Sequence, residues 1–303
     1  MSAQKEKRLK PYCFLYADTQ AVRKTRNEPD GKELETIMKI TMLGTGNALV
    51  TECYNTCFVL ENEKKCLLVD GGGGNTVLRQ LKLAGYDWMD MRQIFVTHKH
   101  VDHLMGIVWM IRMICQYMRQ GQYQGEAWIY GHDEVIALLK DMAGKLLSGK
   151  ETCFIGSRLH METVRDGEKK TLIGKETTFF DIGSTKAKQY GFCMDMGDGE
   201  KLTCCGDEPY SDCEEIYARN SKWLLHEAFC LYDEAELFHP YEKHHSTAKD
   251  AGELAEKLGV KNLILYHTED KNILKRRELY TAEGKKYFHG NIYVPEDLET
   301  IEL

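Results

Sequence analysis

The chain has 303 residues, of which 43% are hydrophobic and 29% are charged, and its formal net charge is -7. A chain of this length and composition can bury a sizeable core and fits a globular protein built as one large domain or as two. The acidic balance argues against broad, non-specific binding of nucleic acid, although it leaves a local basic path open.

The apolar stretches and the cysteines indicate in which cellular compartment the protein is expected. The longest apolar stretch, Leu104 to Met118, is shorter than a membrane span and is interrupted by Arg112 and Gln116. The first residues lack the apolar core of a signal peptide, so we expect no export. The 11 cysteines are odd in number and follow no disulfide plan, which is typical of a reducing compartment. We therefore expect a cytoplasmic protein that does not associate with membranes.

The chain before residue 90 divides into an extension and the start of a domain. Residues 1–37 are set apart by an early basic stretch, and we predict one domain over residues 38–303. The predicted elements are strands from Met38 to Gly46, Cys57 to Leu60 and Cys66 to Asp70, and a helix from Thr76 to Ala84. The glycines at 71–74 either cradle a phosphate or form a tight turn. No Gly-Lys-Ser/Thr follows them, which favours the turn.

The segment from Thr97 to His103 carries three histidines and one aspartate. It follows the apolar run Ile94 to Val96, a predicted buried strand, and precedes a predicted helix from Leu104 to Met118. Imidazole nitrogens and carboxylate oxygens at the end of a strand suit zinc, and also iron or manganese. The alternative is a chance cluster of core histidines. It is disfavoured because a folded core rarely needs three imidazoles within one turn.

Two later strands end in further candidate ligands. A strand beginning at Leu202 ends in Gly206-Asp207, and the apolar strand Leu263 to Tyr266 ends at His267. Taken alone, Gly-Asp is a weak signal, and a histidine at a strand end is more often a surface residue. Their shared placement after strands makes both candidates for the same site. The other predicted elements are the strand Ala127 to Tyr130, the hairpin Phe192 to Thr203, and helices from Asp133 to Leu147 and from Ala248 to Leu258.

The His-x-His-x-Asp-His pattern resembles the signature of the metallo-β-lactamase superfamily, and the resemblance runs from Met38 to the end of the chain. It implies an α/β protein built as a four-layer αββα sandwich, with metals at one edge between the two sheets. It also implies that Asp70 supports the histidines and that Asp207 bridges two cations. The implied metal ligands are His98, His100, Asp102, His103, Asp207 and His267.

Two further motifs resemble the ribonuclease Z branch of this superfamily. His226-Glu227-Ala228-Phe229 is similar to its His-Glu-Ala-Thr loop, with phenylalanine in place of threonine, and His245-Ser246-Thr247 is similar to its His-Ser-Thr loop. The resemblance implies that Glu227 orients His245 and favours its protonated form, which makes it a better proton donor to a leaving alkoxide. The alternative is that Ser246 and Thr247 only cap the following helix.

The sequence departs from the ribonuclease Z pattern in two places. The third histidine of the first metal site should lie a few residues before Tyr190, but residues 183–186 read Gly-Ser-Thr-Lys. Ser184, Thr185, a water or a distant histidine, His132 or His160, would have to replace it. The long arm that grips tRNA is also missing, because only the short hairpin occupies that interval.

These features predict a metal-dependent hydrolase, a ribonuclease Z-like phosphodiesterase. One or two zinc ions, or manganese or iron, would hold the attacking hydroxide, with Asp102 orienting it and the pair His245 and Glu227 donating the proton. The substrate would be a small phosphodiester or an RNA end, and the sequence leaves a homodimer open. The alternatives are a thioester or lactone hydrolase of the same fold, and a metal-binding or regulatory module with a degenerate centre.

Overall fold

A computed structural model describes residues 37–303. The predicted extension, residues 1–37, therefore falls almost wholly outside the described residues, and its boundary stays a prediction.

The strands are β1 (Lys39–Gly44), β2 (Cys57–Asn62), β3 (Lys65–Val69), β4 (Gln93–Val96), β5 (Ala127–Gly131), β6 (Leu159–Thr163), β7 (Lys169–Leu172), β8 (Lys175–Asp181), β9 (Tyr190–Gly197), β10 (Glu200–Cys204), β11 (Trp223–Glu227), β12 (Asn262–Tyr266), β13 (Asn291–Tyr293) and β14 (Thr300–Glu302). The helices are α1 (Thr76–Leu83), α2 (Val101–Arg119), α3 (Asp133–Leu146), α4 (Gly149–Thr152), α5 (Glu215–Ala218), α6 (Ala235–Phe238), α7 (Ala248–Lys257) and α8 (Arg276–Gly284). Short 3₁₀ turns cover Trp88–Asp90, Asp212–Glu214, Tyr232–Glu234 and Tyr241–Lys243.

Two seven-stranded sheets form the centre of the fold, in the orders β14-β1-β2-β3-β4-β5-β6 and β13-β12-β11-β10-β9-β8-β7. Phe58, Phe95, Phe179 and Phe192 belong to the buried cluster between the sheets. A second cluster joins the first sheet to α1, α2 and α3, and a third joins the other sheet to α7 and α8. The predicted four-layer αββα sandwich is confirmed.

Each sheet contains a run of parallel strands. These runs are β3 to β6 in the first sheet and β10 to β13 in the second. Ligands in α/β sheets bind beyond the carboxyl ends of parallel strands, where loops and helix starts converge. The polar residues that follow these strand ends, or close them, are Asp70 (β3), His98 (β4), His132 (β5), Asp207 (β10), Glu227 (β11) and His267 (β12).

Most predicted elements differ from the observed ones only at their ends, and the difference in α2 matters for the site. This helix begins at Val101 rather than at Leu104, with His100 in extended conformation as its N-cap. Asp102 and His103 therefore lie in its first turn and not on the preceding loop. Strands such as β7 (Lys169–Leu172) were not predicted, because its largely polar, exposed residues lack an apolar run.

The glycines after β3 pack against the start of α2. The Gly71 backbone N–H donates to the His103 carbonyl at 2.8 Å, and that of Gly106 donates to the Gly72 carbonyl at 2.9 Å. A Cβ on Gly106 would lie 1.8 Å from the Gly71 carbonyl oxygen, so only glycine permits this approach. The expected tight turn therefore serves helix docking, and it fixes the turn of α2 that carries two candidate ligands.

No helix in residues 37–303 is long and apolar enough to cross a membrane. The cysteines in the same range are all free thiols.

Candidate metal centre

The histidine motif lies where β4 meets α2, and Asp70 ties it to the neighbouring strand. One Asp70 oxygen accepts from the Thr97 backbone N–H at 2.8 Å, and the other accepts from the Thr97 hydroxyl at 2.8 Å. The second oxygen also lies 2.8 Å from His103 Nδ1. This contact turns His103 Nε2 away from Asp70, which is how a carboxylate orients a metal-binding histidine. Asp70 thus has the contacts that its expected supporting role requires.

Four donor atoms converge beside His103, and we call this group the second subsite: Asp102 Oδ2, His103 Nε2, Asp207 Oδ2 and His267 Nε2. His103 Nε2 lies 3.4 Å from Asp102 Oδ2 and 3.2 Å from Asp207 Oδ2. His267 Nε2 lies 3.5 and 3.3 Å from the same two oxygens. Ligands about 2.0–2.2 Å from a tetrahedral zinc are about 3.3–3.6 Å apart, so these separations fit a zinc ion.

The burial of the second subsite and its unpaired polar atoms also indicate a cation site. The four side chains of the second subsite are at most 5% exposed, and the Nε2 atoms of His103 and His267 have no hydrogen-bond partner. Burial alone would lower the pKa of His103, but the Asp102, Asp70 and Asp207 carboxylates outweigh it and raise that pKa well above its usual value. The His98, His103 and His267 imidazoles hold the pKa of Asp207 well below its usual value, against the opposing effect of burial. A site this rich in negative charge favours a cation.

The first subsite, expected from His98, His100 and Asp207, is less prepared. Within residues 37–303, His98 lies in a ligand group with His103 and Asp207, whereas His100 belongs to no such group. His98 Nε2 is 3.6 Å from Asp207 Oδ2, but only 2.8 Å from His100 Nδ1, with which it shares a hydrogen bond. His98 is fully buried, whereas His100 is half-buried. Burial lowers the pKa of His98 well below its usual value, which leaves a neutral imidazole able to bind a cation.

The proposed replacements for the missing histidine lie elsewhere. The Ser184 hydroxyl donates to Glu208 at 2.7 Å, and Thr185 Oγ1 is 3.3 Å from His244 Nδ1. His160 pairs with Glu126 at 3.2 Å. His132 is buried after β5, but it belongs to none of the ligand groups formed within residues 37–303. Ser184, Thr185 and His160 thus make other contacts in this structure, and what completes the first subsite stays a prediction.

Sequence reasoning missed one buried side chain in that segment. Gln189 is 1% exposed, and its Nε2 donates to Asp207 Oδ1 at 2.5 Å. Nothing in the sequence marks this residue, because it sits immediately before β9 and reads as an ordinary polar residue at a strand start.

Glu227 and His245 lie together beside the second subsite. Glu227 Oε2 is 3.7 Å from His245 Nδ1, and the His245 ring centroid is 5.2 Å from that of His267. Ser246 fixes the other Glu227 oxygen through its backbone N–H and through its hydroxyl, the latter at 2.5 Å. The Phe229 ring stacks on His245 with centroids 4.8 Å apart and planes 7° apart. The imidazole is thus oriented at its edge and along one face.

The His-Ser-Thr segment, residues 245–247, both caps a helix and places His245 at the site, and different residues do each. Thr247 caps α7 and forms a capping box with Asp250, as the structural alternative predicted. Ser246 does not cap the helix, because its hydroxyl serves Glu227 instead. His245 belongs to neither contact and faces the site. The segment therefore begins a helix and also presents an imidazole.

The ionisation of this pair differs from the sequence-based expectation. Burial lowers the pKa of His245 to about 3, with His267 adding to the effect. Burial also raises the pKa of Glu227 well above its usual value, against the hydrogen bonds from Ser246. Both shifts disfavour charge, so Glu227 does not hold His245 protonated. The two shifts favour the neutral form of each group, which is a protonated Glu227 carboxyl beside a neutral imidazole.

A cavity of about 590 Å³ opens over the candidate ligands. Its lining residues are Ala48, Lys99, His100, Val101, Asp102, Leu138, Lys186, Asp207, Glu208, His245 and His267. Lys99 is paired with Glu134 at 2.7 Å, whereas Lys186 has no carboxylate within ion-pairing distance in the part of the chain described. The cavity volume is in the range of sites for small molecules. A larger groove of about 680 Å³ lies along α8, away from these ligands.

Comparisons with known proteins agree with this geometry. A profile of the family described as "Anti-Pycsar protein Apyc1" matches residues 38–288. The chain belongs to this Apyc1 family. The match covers both sheets almost completely and includes every candidate ligand.

Individual relatives show that the Apyc1-family chain is similar in sequence to ribonuclease Z and shares the metallo-β-lactamase fold. Ribonuclease Z of Archaeoglobus fulgidus is 25% identical, over 88% of this chain and 98% of the relative. Among solved structures, the metallo-β-lactamase fold protein YhfI from Bacillus subtilis has a TM-score of 0.71 at 19% identity and covers 88% of this chain and 100% of its own. The short form of human tRNase Z has a TM-score of 0.64 at 19% identity, over 87% and 98% of the two chains. The predicted resemblance to the metallo-β-lactamase superfamily and to its ribonuclease Z branch is confirmed.

Proposed function

We propose that this protein is a metal-dependent phosphodiesterase that acts on small phosphodiesters. The observation that carries the proposal is the juxtaposition of two parts. A group of buried ligands with zinc-like spacing lies beside a proton-donor pair, with the His245 and His267 ring centroids 5.2 Å apart. A leaving alkoxide needs a proton, whereas a leaving thiolate does not, so this pair favours ester cleavage at phosphorus over thioester hydrolysis.

The candidate ligands fit a cation and divide into two groups. Asp102, His103, Asp207 and His267 would hold one ion, and His98 and His100 with Asp207 would hold a second. Zinc suits the nitrogen and oxygen donors, and manganese or iron fits them as well. A bound ion would activate water as the nucleophile and neutralise charge on the phosphoryl oxygens.

His245 and Glu227 would deliver the proton as a relay. With the shared proton on Glu227, the imidazole is neutral and can carry its N–H on Nε2, the nitrogen remote from Glu227. Donation from Nε2 to the leaving oxygen would be balanced by transfer of the Glu227 proton to Nδ1. The 3.7 Å separation of Glu227 Oε2 and His245 Nδ1 must close for this step. Catalytic hydrogen bonds often shorten when substrate binds.

The cavity supports a small substrate. Lys186 places positive charge at its wall, where a phosphodiester anion would lie, and Val101 and Leu138 add apolar surface. The hairpin of β9 and β10 fills the interval in which ribonuclease Z carries its tRNA-gripping arm. The net charge of -7 gives little general attraction for a polyanion. Cyclic nucleotides and short RNA ends fit these limits better than precursor tRNA.

The test compares two adjacent histidines. His245→Ala should lower kcat by about 10²–10⁴-fold for diesters with poor leaving groups, such as a cyclic nucleotide, because a positioned acid contributes that much. The loss should be small for bis-p-nitrophenyl phosphate, whose p-nitrophenolate leaves without a proton. His244→Asn is the matched control, since His244 is exposed at the preceding position and asparagine tolerates its φ of 55°, so both rates should be unchanged.

The outcomes separate the candidate functions. Equal losses of His245→Ala on good and poor leaving groups would remove the proton-donor role. Thioester or lactone turnover without diester turnover would favour the alternative hydrolases. A metal-loaded protein that turns over none of these substrates would be a binding module.

A further inference from the structure

The two carboxylate oxygens of Asp207 have different surroundings. Oδ2 lies 3.2 Å from His103 Nε2, 3.3 Å from His267 Nε2 and 3.6 Å from His98 Nε2. Oδ1 accepts the hydrogen bond from Gln189 Nε2 at 2.5 Å. A bridging carboxylate can in general give one oxygen to each cation, but here one oxygen faces both subsites and the other is engaged by the protein.

The backbone holds Gln189 firmly in this position. The Tyr190 backbone N–H donates to the Thr97 carbonyl at 3.0 Å, which ties the start of β9 to the residue before His98. The Gln189 carbonyl accepts from the Ile182 backbone N–H at 3.1 Å. A Cβ at Gly206 would lie 2.8 Å from Gln189 Nε2, so the glycine before Asp207 leaves room for the amide.

The chemistry of Asp207 decides which way the amide points. An ionised carboxylate only accepts hydrogen bonds, so the Gln189 atom beside Oδ1 must be the NH₂ group. Gln189 Oε1 is then buried without a hydrogen-bond partner. An unsatisfied buried acceptor costs about 1–3 kcal/mol. A glutamine with this cost is expected where a water or cation binds its Oε1 atom, or where its amide nitrogen makes a contact that the site needs.

We propose that Gln189 is the positioning residue of the metal centre, which holds Asp207 by Oδ1 so that Oδ2 alone is shared between the two subsites. The segment that lacks the third histidine thus supplies a hydrogen-bond donor to the bridging carboxylate instead of a ligand. Without this donor, the Asp207 carboxylate would be free to rotate and to bind one cation through both oxygens. The first subsite, which has only two histidines of its own, would lose most.

The experiment replaces Gln189 by a side chain of similar length without a donor. Gln189→Met should weaken binding of the weaker cation by about 10–100-fold, the usual cost of removing a residue that orients a metal ligand. The measurement is the dissociation constant of Zn²⁺ or Co²⁺, determined by competition with a coloured chelator. The Co²⁺ visible spectrum should also change, because the coordination of Asp207 changes.

Gln80 provides a matched structural control. It is 5% exposed, and its Nε2 donates to the Leu43 carbonyl at 2.6 Å, so it too is a buried glutamine with its amide engaged. Gln80→Met should lower the unfolding temperature of the metal-free protein about as much as Gln189→Met. It should leave the metal dissociation constants and the Co²⁺ spectrum unchanged.

A third variant tests the donor itself. Gln189→His places an imidazole N–H close to the position of the amide nitrogen, and metal binding should stay within about threefold of the unaltered protein. Equal metal affinity in Gln189→Met and Gln80→Met would overturn the inference, and so would equal losses in the Met and His variants of Gln189. The inference rests on the proposed metal centre. An unaltered protein that binds no cation ends the proposed function, whereas one that binds cations regardless of residue 189 ends only this role.

Discussion

The two subsites differ in how far the protein alone has prepared them for a cation. In the second subsite, the Nε2 atoms of His103 and His267 lie 3.2–3.5 Å from the Oδ2 atoms of Asp102 and Asp207, the spacing that a tetrahedral ion needs. In the first subsite, the two imidazoles are hydrogen-bonded at 2.8 Å. A cation would find the donor atoms of the second subsite already spaced for binding, whereas in the first subsite it would have to separate a hydrogen-bonded pair.

The difference has a structural origin. The ligands of the second subsite come from α2 and from the ends of β10 and β12, and His103 is backed by Asp70. His98 and His100 come from one short turn, and the segment before β9 brings no third histidine. Pre-organisation reduces the cost of binding, so the second subsite should hold its cation more tightly.

The largest effect should come from removing one ligand of each subsite in turn. His103→Ala should lower kcat for diester hydrolysis by about 10³-fold or more, because a cation supplies several kcal/mol and each 1.4 kcal/mol is tenfold. His100→Ala should retain the tighter cation and lose less activity. Metal content and kcat of the two purified variants check this. If His100→Ala lost its metal as completely as His103→Ala, the two subsites would not differ as described.

Asp70→Asn should give an intermediate effect that is larger in the second subsite, which Asp70 contacts directly, than in the first, which it reaches only through the Thr97 hydroxyl. It weakens the contact with His103 Nδ1, and loss of such support typically costs about 10–100-fold in metal affinity. Asp70 has a φ of 58°, which asparagine tolerates, so the backbone should not change. Asp198→Asn is the control, because Asp198 also has a positive φ, 53°, but lies in the turn between β9 and β10. Equal affinities in the two variants would remove Asp70 from the account.

Much of the site could be predicted from the sequence because its ligands follow apolar strands. His98 comes after β4, Asp207 after β10 and His267 after β12, and the carboxyl ends of parallel strands meet at one edge. The structure brings all six candidate ligands to that edge. The residues that evaded prediction act through long-range contacts. Gln189 meets Asp207 across 18 positions of sequence, and Ser246 meets Glu227 across 19.

The ionisation of the proton-donor pair was also beyond sequence reasoning. The motif correctly placed Glu227 beside His245, but burial controls their protonation. Glu227 is fully buried and His245 nearly so, with 12% of its side chain exposed. The desolvation of both groups follows from the packing of the two sheets and Phe229, which no local pattern reports.

The smallest effect on catalysis should come from a buried acid that, unlike Asp207, has no histidine to compensate it. Burial raises the pKa of Glu214 to about 8, so this carboxyl is protonated in the folded protein at neutral pH. The unfolded chain releases the proton near pH 4.5. Stability from this group is therefore complete at low pH and is lost as pH rises towards 8, by a few kcal/mol at 1.36 kcal/mol per pKa unit.

Glu214→Gln should reduce the fall in the free energy of unfolding between pH 5 and pH 8, without changing metal affinity. Urea unfolding of the metal-free protein between pH 5 and pH 8 measures the free energy of unfolding for each variant. Glu215→Gln is the control, since Glu215 is half-buried and pairs with Arg219 at 2.6 Å. A pH dependence that is unchanged in Glu214→Gln would show that Glu214 is not the group responsible.

The most direct test of the unequal metal centre is a titration of the metal-free protein with Zn²⁺. Calorimetry would follow binding while the rate of bis-p-nitrophenyl phosphate hydrolysis is measured at each addition. The structure predicts two steps of clearly different affinity, or one ion per chain, with hydrolysis appearing only once metal is bound. Two ions bound with equal affinity, or hydrolysis that does not depend on metal, would contradict it.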